Sequence, residues 1–370
     1  LVLAVLARLA GRLGITAIPL YLVAGLATGE GGIAPLDISE DFISLAAQIG
    51  VLLLLFTLGL EYSAEELEHG LRTGGLAGAV DAVANFTPGL VAGLLLGWSS
   101  TAAVLLGGVT WVSSSGVVSK VLSDLRRLGN RETPSVLNVL VIEDLAMAAY
   151  LPIVAALVAG TDAVETSTTV VVALFAAAAI LLAAVRWGDR LSVLLAPGSN
   201  ESLLLAVFGL TLLVGGLAEQ VGVSSAIGAF LVGLALTGPV RHRAESLMEP
   251  LRDLFAATFV VFFSFQIEPR TLIGALAPAA LLVVVTAIGK LLSGWAAGSA
   301  AGIGRRGRLR AGTALIARGE FSIVIASLGA TLEDGSELGA FAAAYVLITA
   351  IVGPLATKYA DRIPLPAPRR

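Results

Sequence analysis

The chain has no cysteine, only two histidines, and charged residues at just 14% of its 370 positions. The first absence removes disulfides, thiolate nucleophiles and thiolate metal sites, and leaves the redox compartment open. The two histidines, His69 and His242, fall in charged connections between apolar runs. That placement argues against a zinc site, and both read as solvated residues before they read as pH sensors. The scarcity of charge, set against 57% hydrophobic residues and a mean hydropathy of +0.92, excludes an ordinary soluble core. The solvent of this chain is lipid. There is no basic excess either: 23 Lys and Arg against 27 Asp and Glu leave a net charge of −4, so nucleic acid is not an expected partner. The chain opens at Leu1, inside an apolar run without the flanks of a cleavable signal. The first helix is therefore expected to be clipped at its start.

What is present is a series of about thirteen apolar segments, each about long enough to span a bilayer. They run Leu1–Ile15, Ala17–Thr28, Phe42–Leu60, Gly74–Trp98, Ala102–Val118, Ser135–Gly160, Thr168–Val185, Leu203–Leu217, Ser224–Leu236, Leu251–Ile267, Leu272–Ile303, Ala311–Leu332 and Ala340–Ala356. Alternate connections differ in charge. One set carries Arg12, Arg72, Lys120, Arg126, Arg127, Arg131, Arg186, Arg190, Arg241, Arg243, Arg252, then Arg305, Arg306, Arg308 and Arg310, and finally Lys358, Arg362, Arg369 and Arg370. The other set has little besides Arg270 and includes Glu30, Asp37, Asp162, Glu165, Glu333 and Asp334. The positive-inside rule then puts the N-terminus outside and the C-terminus in the cytoplasm, which needs the odd number of spans that the hydropathy suggests. An all-α polytopic membrane protein follows, with residues 1–362 in the membrane domain and 363–370 as a cytoplasmic tail.

The stretch from Ser135 to Gly160 organises the rest, because it carries two adjacent carboxylates, Glu143 and Asp144. A helix starting near Ser135 places Asp144 about 15 Å deep, close to the midplane of a core about 30 Å thick. An ionisable group there costs several kcal/mol unless paired, protonated or facing water, so it marks an ion or proton path. Glu143 points about 100° away around the helix and reads as a flanking partner. Lys290, in ALLVVVTAIGKLLSGWAAG, lies too far from either end of its span to snorkel free. Asp144 is its expected partner. Desolvation penalises both charges and pairing favours both, so such a couple can be held near the point of titration. A cation binding Asp144 would displace Lys290 or a proton, the minimal chemistry of an antiporter. Asp81, in GAVDAVANF, has no partner that the sequence identifies and is read as a supporting polar group.

Two spans look interrupted. GGVTWVSSSGVVSK (Gly107 to Lys120) brings Thr110, Ser113, Ser114 and Ser115 between glycines, and GTALIARGEFSIVIAS (Gly312 to Ser327) carries Arg318, Gly319 and Glu320. By the count above they are seven spans apart, the spacing of an inverted repeat of about six spans with one linker span. Unwound backbone is tolerated in lipid only where it is buried or lines a cavity, so this pair points to a substrate site. Packing of small residues between helices is the plainer account of the serines. Arg318 is expected to brace its break, against Glu143 or the free carbonyls of a half-helix, with Glu320 beside it.

At these residues the chain resembles the second cation:proton antiporter family, which includes sodium/proton exchangers and bacterial potassium/proton efflux systems. The resemblance covers nearly the whole chain and rests on IGVLLLLFTLGLEYS (Ile49 to Ser63), VLVIEDLAMAAYLPI (Val139 to Ile153), VGVSSAIGAFLVGL (Val221 to Leu234), LRDLFAATFVVFFSFQIEP (Leu251 to Pro269), the Lys290 span and ARGEFSIVIA (Ala317 to Ala326). It implies a homodimer in the cell membrane, with dimerisation helices and core helices 74–160 and 251–356. It also implies crossed broken helices and elevator-like alternating access, in the service of cation and pH homeostasis. By position it makes Asp144 the carboxylate for the monovalent cation, Lys290 its basic partner, and Thr110 to Ser115 the lining of the crossover. No cofactor is implied beyond the transported K⁺ or Na⁺ and H⁺. Family members vary at the position before the aspartate, here Glu143. The form IEDLAMAAYLP is most similar to the potassium/proton exchangers whose nucleotide-sensing regulator is a separate protein. No glycine-rich nucleotide-binding domain follows the last span before PAPRR, so such a regulator is expected as a separate cytoplasmic partner or outside this stretch.

Three other functions fit less well. A gated cation channel could use the same cavity without proton exchange. A sodium-coupled organic-anion symporter would need a wider anion site than the Asp144 and Lys290 couple suggests. An intramembrane aspartyl protease needs two catalytic aspartates on different spans, and only Asp81 is available to accompany Asp144.

Overall fold

The computed structural model describes residues 1–13, 17–29, 31–61, 64–159, 186, 188, 190–196, 198–220 and 225–363, and the regular elements among them are all helices. In chain order they are α1 (Val2–Leu13), α2 (Ile18–Thr28), α3 (Glu40–Glu61), α4 (Ala64–Leu95), α5 (Ser100–Trp111), α6 (Ser115–Asp124), α7 (Thr133–Ala159), α8 (Asn200–Gln220), α9 (Ser225–Ala235), α10 (Gly238–Phe265), α11 (Pro269–Ala300), α12 (Arg305–Ala314), α13 (Glu320–Leu328) and α14 (Gly335–Tyr359). Each expected segment corresponds to one of these helices or to a pair of them, except Thr168–Val185, which lies outside the described residues, as do residues 364–370 of the expected tail. By length and composition, five helical stretches among the described residues can cross a membrane: Gly75–Leu95, Ser100–Asp124, Asn200–Ala218, Pro269–Ala300 and Gly335–Arg362.

The chain divides into two compact units. The first comprises Leu1–Leu36, Gly70–Glu143 and Phe263–Arg370, and the second comprises Asp37–His69 and Asp144–Phe262. In the second unit Leu53, Phe56, Leu60, Leu203, Val207, Val232 and Met248 form the core. There α3 and α9 meet at Gly59 and Gly233. A Cβ on either glycine would strike the opposite backbone, at the Phe230 carbonyl or the Phe56 carbonyl. Small residues at such contacts let helices pack closely where lipid offers no hydrophobic drive.

The sequence expected a span starting near Leu251, with a charged connection before it. Instead α10 begins at Gly238, so His242 sits on a helix, exposed, with Glu245 3.8 Å away. The reason is an amphipathic stripe that the charges obscure: Val240, Ala244 and Met248, at i, i+4 and i+8, are all buried in the second core.

In the first unit the two interruptions fall where the sequence placed them. The first break, Val112 to Ser114, separates α5 from α6, and the second, Leu315 to Gly319, separates α12 from α13. The breaks touch each other. The Ser114 amide donates to the Ala317 carbonyl at 2.9 Å, Ser113 Oγ to the Leu315 carbonyl at 3.0 Å, and Ser322 Oγ to the Val109 carbonyl at 2.8 Å. Gly319 makes the crossing possible, since a Cβ there would come within 2.5 Å of Ser114 Oγ.

Ending a helix in mid-membrane leaves carbonyls without partners, and each must be satisfied inside the protein. Arg318, 1% exposed, does most of this. Its Nε and one terminal nitrogen donate to the Thr110 carbonyl at 3.1 and 2.6 Å. The other terminal nitrogen donates to Leu315 and Ile316 at 2.9 and 2.8 Å. One guanidinium thus closes the C-terminal ends of both α5 and α12. Farther along α12, Arg310 bonds Glu132 at 3.2 Å and Asp361 at 2.8 Å, so this half-helix is held near its middle as well.

Replacing Arg318 by Leu is expected to lower stability by several kcal/mol, because each buried carbonyl left unpaired costs about 1–3 kcal/mol. Lys is expected not to rescue, since only the planar fork reaches both helix ends. Thermal unfolding of the purified protein in detergent measures both. Gly294 packs against the backbone of Gly312 and Ala311, and Gly294→Val is expected to cost about 1–3 kcal/mol by overpacking. A Cβ at Gly274 would meet nothing within 4 Å, so Gly274→Val is the neutral control in the same assay.

Candidate functional site

The site is built from α4, α7 and α11 around the first break. Lys290, on α11, has no solvent exposure, and its ammonium lies between two carboxylates: Asp81 Oδ1 of α4 at 2.7 Å and Glu143 Oε1 of α7 at 3.0 Å. The expected partner was Asp144. One step along a helix turns a side chain by about 100°, and it is the first carboxylate of the acidic pair that faces Lys290. Asp144 follows as the first residue of the second unit and is equally buried, at 1% exposure.

Each carboxylate is also tied to the break between α5 and α6. Asp81 Oδ2 accepts from Trp111 Nε1 at 3.0 Å, on the last residue of α5. Glu143 accepts from the Ser113 amide through Oε2, and its Oε1 lies 3.1 Å from Ser113 Oγ, whose single proton it shares with the Leu315 carbonyl. Trp111 and Ser113 flank Val112, so the break is clamped from both sides by acids that share one ammonium. Ser113 directly precedes Ser114, the N-cap of α6, so the Glu143 carboxylate lies beside a helix N-terminus, where the dipole favours negative charge.

The other expected residues fall as follows. Thr110 and Ser113 are buried at the crossing, and Thr110 Oγ1 donates to the Asn85 carbonyl at 2.8 Å. Ser114 caps α6 by accepting from the Val117 amide at 3.2 Å, and Ser115 starts that helix, half-buried. Arg318 goes to the free carbonyls, one of its two expected roles. Glu320 opens α13, where a carboxylate suits the helix N-terminus, and Ser114 Oγ donates to it at 3.4 Å. Asp81 is no peripheral support; it is a direct partner of Lys290.

Several members of the cluster were not expected. Asn85 donates to Asp81 Oδ1 at 3.1 Å and to Ser293 Oγ at 3.3 Å, and Ser293 lies one turn beyond Lys290. Thr286, one turn before Lys290, bonds the Tyr345 hydroxyl at 2.7 Å, and the Arg318 guanidinium sits 5.9 Å from the centre of the Tyr345 ring. Their signal was the i±3 and i±4 spacing of polar residues about Asp81 and Lys290 in apolar helices. Asn85 Oδ1 has no hydrogen-bond partner among the described residues. It lies against Gly289, where a Cβ would come within 2.7 Å.

A family model described as "Sodium/hydrogen exchanger, transmembrane" matches residues 1–359 of the chain. The chain is 36% identical to the K(+)/H(+) antiporter subunit KhtU of Bacillus subtilis, over 97% of its own length and 91% of that protein. It is 28% identical to the ammonium/H(+) antiporter subunit AmhT of Alkalihalophilus pseudofirmus, over 95% and 89% of the two chains. Its fold matches the sodium proton antiporter MjNhaP1 of Methanocaldococcus jannaschii with a TM-score of 0.74 at 15% identity, covering 98% of this chain and 95% of that one. With interrupted helices crossing at a buried ammonium and its carboxylates, and with a match across nearly its whole length, the chain belongs to the sodium/hydrogen exchanger family of multi-pass membrane transporters.

Proposed function

We propose that this chain exchanges a monovalent cation, K⁺ ahead of Na⁺, for H⁺ across the bacterial plasma membrane, at the acidic pair Glu143 and Asp144. One observation carries the reading. Where the two breaks cross, a single ammonium is shared by two carboxyl groups, and the buried Arg318 guanidinium bonds backbone carbonyls. The cluster has room for one more positive charge, and a proton or a metal ion can supply it. Competition between the two for that place is what an antiporter requires. Asp144, next to Glu143 in sequence, is the carboxylate that takes the cation, a role that the family resemblance implies, and Lys290 is the counter-charge beside Glu143. The polar groups of Thr110, Ser113, Ser114 and Ser115 line the crossing.

The choice of K⁺ is supported by the resemblance of IEDLAMAAYLP and by the K(+)/H(+) name of a relative 36% identical. Another relative, 26% identical, is named a high-affinity Na(+)/H(+) antiporter, of Synechocystis, and the ion is what the experiment decides. Elevator-like movement of core helices belongs to the same reading, as the family resemblance implies. So does a homodimer with the N-terminus outside and the C-terminus in the cytoplasm. The word "subunit" in the names of KhtU and AmhT supports a separate cytoplasmic regulatory partner here.

In proteoliposomes with a preset pH gradient, K⁺ is expected to dissipate the gradient saturably and at lower concentration than Na⁺, Li⁺ or Rb⁺. Asp144→Asn is expected to cut the rate at least about a hundredfold, because it removes the carboxylate for which cation and proton compete. Flux that persists in this variant, or cation flux without proton movement, overturns the reading and leaves a channel in its place.

A further inference from the structure

Asp81 is held from more elements than Glu143. Its carboxylate is fully buried, and both oxygens are occupied: Oδ1 accepts from Lys290 at 2.7 Å and Asn85 at 3.1 Å, and Oδ2 from Trp111 at 3.0 Å. These donors sit on three different helices, α11, α4 and α5. Asn85 is fixed in turn by Ser293 on α11. A carboxylate gripped from three directions has little freedom to move. Glu143 is different: besides Lys290, its donors are the amide and hydroxyl of Ser113, inside the non-helical break.

We propose that Asp81 is the positioning residue for Lys290. It keeps the ammonium at the crossing while the contact between Lys290 and Glu143 makes and breaks, so a cation arriving at the acidic pair competes with one of the two bonds that hold the lysine. This rests on the antiporter reading above and supplies a reason for two acids around one base. With Glu143 alone, Lys290 would form a closed buried pair, and opening it would strand two charges in a medium of low dielectric. With Asp81 present, Lys290 keeps a charged partner in both arrangements. Opening then becomes the exchange of one partner, and the unfavourable separation of a whole ion pair is avoided.

The test is cation-driven proton flux in proteoliposomes for the native protein, Asp81→Asn, Asp81→Glu and Trp111→Phe, each with its melting temperature in detergent. In Asp81→Asn, Lys290 leans wholly on Glu143. KM for the cation is therefore expected to rise about tenfold with kcat changed less than about threefold, the scale of one charge-assisted hydrogen bond. Asp81→Glu is expected to restore KM to within about threefold, and Trp111→Phe, which loosens Asp81 without removing it, to shift KM in the same direction by less. Should Asp81→Asn fold poorly, Trp111→Phe carries the test alone. A KM unchanged in Asp81→Asn and Trp111→Phe overturns the proposal. So does a loss of kcat and melting temperature together that Asp81→Glu does not restore, which would mark a purely structural residue. If the native protein itself moves no protons on addition of K⁺ or Na⁺, the antiporter reading has failed instead.

Discussion

One ammonium suspended between two carboxylates, all three no more than 1% exposed, is the constraint on which the first unit depends. Taking a charge out of water costs several kcal/mol even after relaxation, and only close partners repay it. Lys290 has them at 2.7 and 3.0 Å. Asp81 and Glu143 reach it from separate helices, and each also grips one edge of the first break, at Trp111 and Ser113. The lysine, the two acids and the break therefore define one another. Moving any of them leaves a buried charge or a backbone amide without its partner.

The second break solves the complementary problem. A half-helix that stops in the membrane exposes carbonyls where nothing but protein can bond them. Here the carbonyls of Val109, Thr110, Leu315 and Ile316 receive donors from Ser322, Ser113 and Arg318. Such an accounting requires the two breaks to lie in contact, which requires small residues where they meet. Gly319 against Ser114 meets that need between the breaks, and Gly294 against Gly312 meets it between α11 and α12. The many glycines of this chain, 42 in all, include these contacts as well as the turns in its connections.

Much of this could be read in the sequence, and the failures share a cause. The breaks announced themselves, because polar and glycine residues interrupt otherwise apolar runs at Thr110 to Ser115 and at Arg318 to Glu320. Glu143, Asp144 and Lys290 stood out because charges in lipid are rare. What the sequence could not decide was rotation about α7. Two adjacent acids point about 100° apart, and a single chain does not say which one meets the lysine. Asp81 was visible for the same reason as Asp144, yet its role depends on how α4 is turned towards α11. The start of α10 was missed for the opposite reason: arginines and glutamates on its exposed face masked the stripe of Val240, Ala244 and Met248.

The two buried cations of this unit differ in kind, and the difference follows from what each must do. Arg318 closes helix ends, a task for a planar group that keeps its charge and offers several donors in a fixed fork. Its bonds to the Thr110, Leu315 and Ile316 carbonyls brace the crossing, while Lys290 bonds both acids. Lys290 must hold two carboxylates and, in the antiporter reading, yield one of them. A point charge on a flexible stem can do that, because its bonds are set by distance more than by direction. Exchanging the two residues would put the rigid fork where a contact must open and the mobile ammonium where the helix ends need permanent closure. The fold therefore separates a fixed cation that makes the interrupted helices possible from a yielding one that makes them useful.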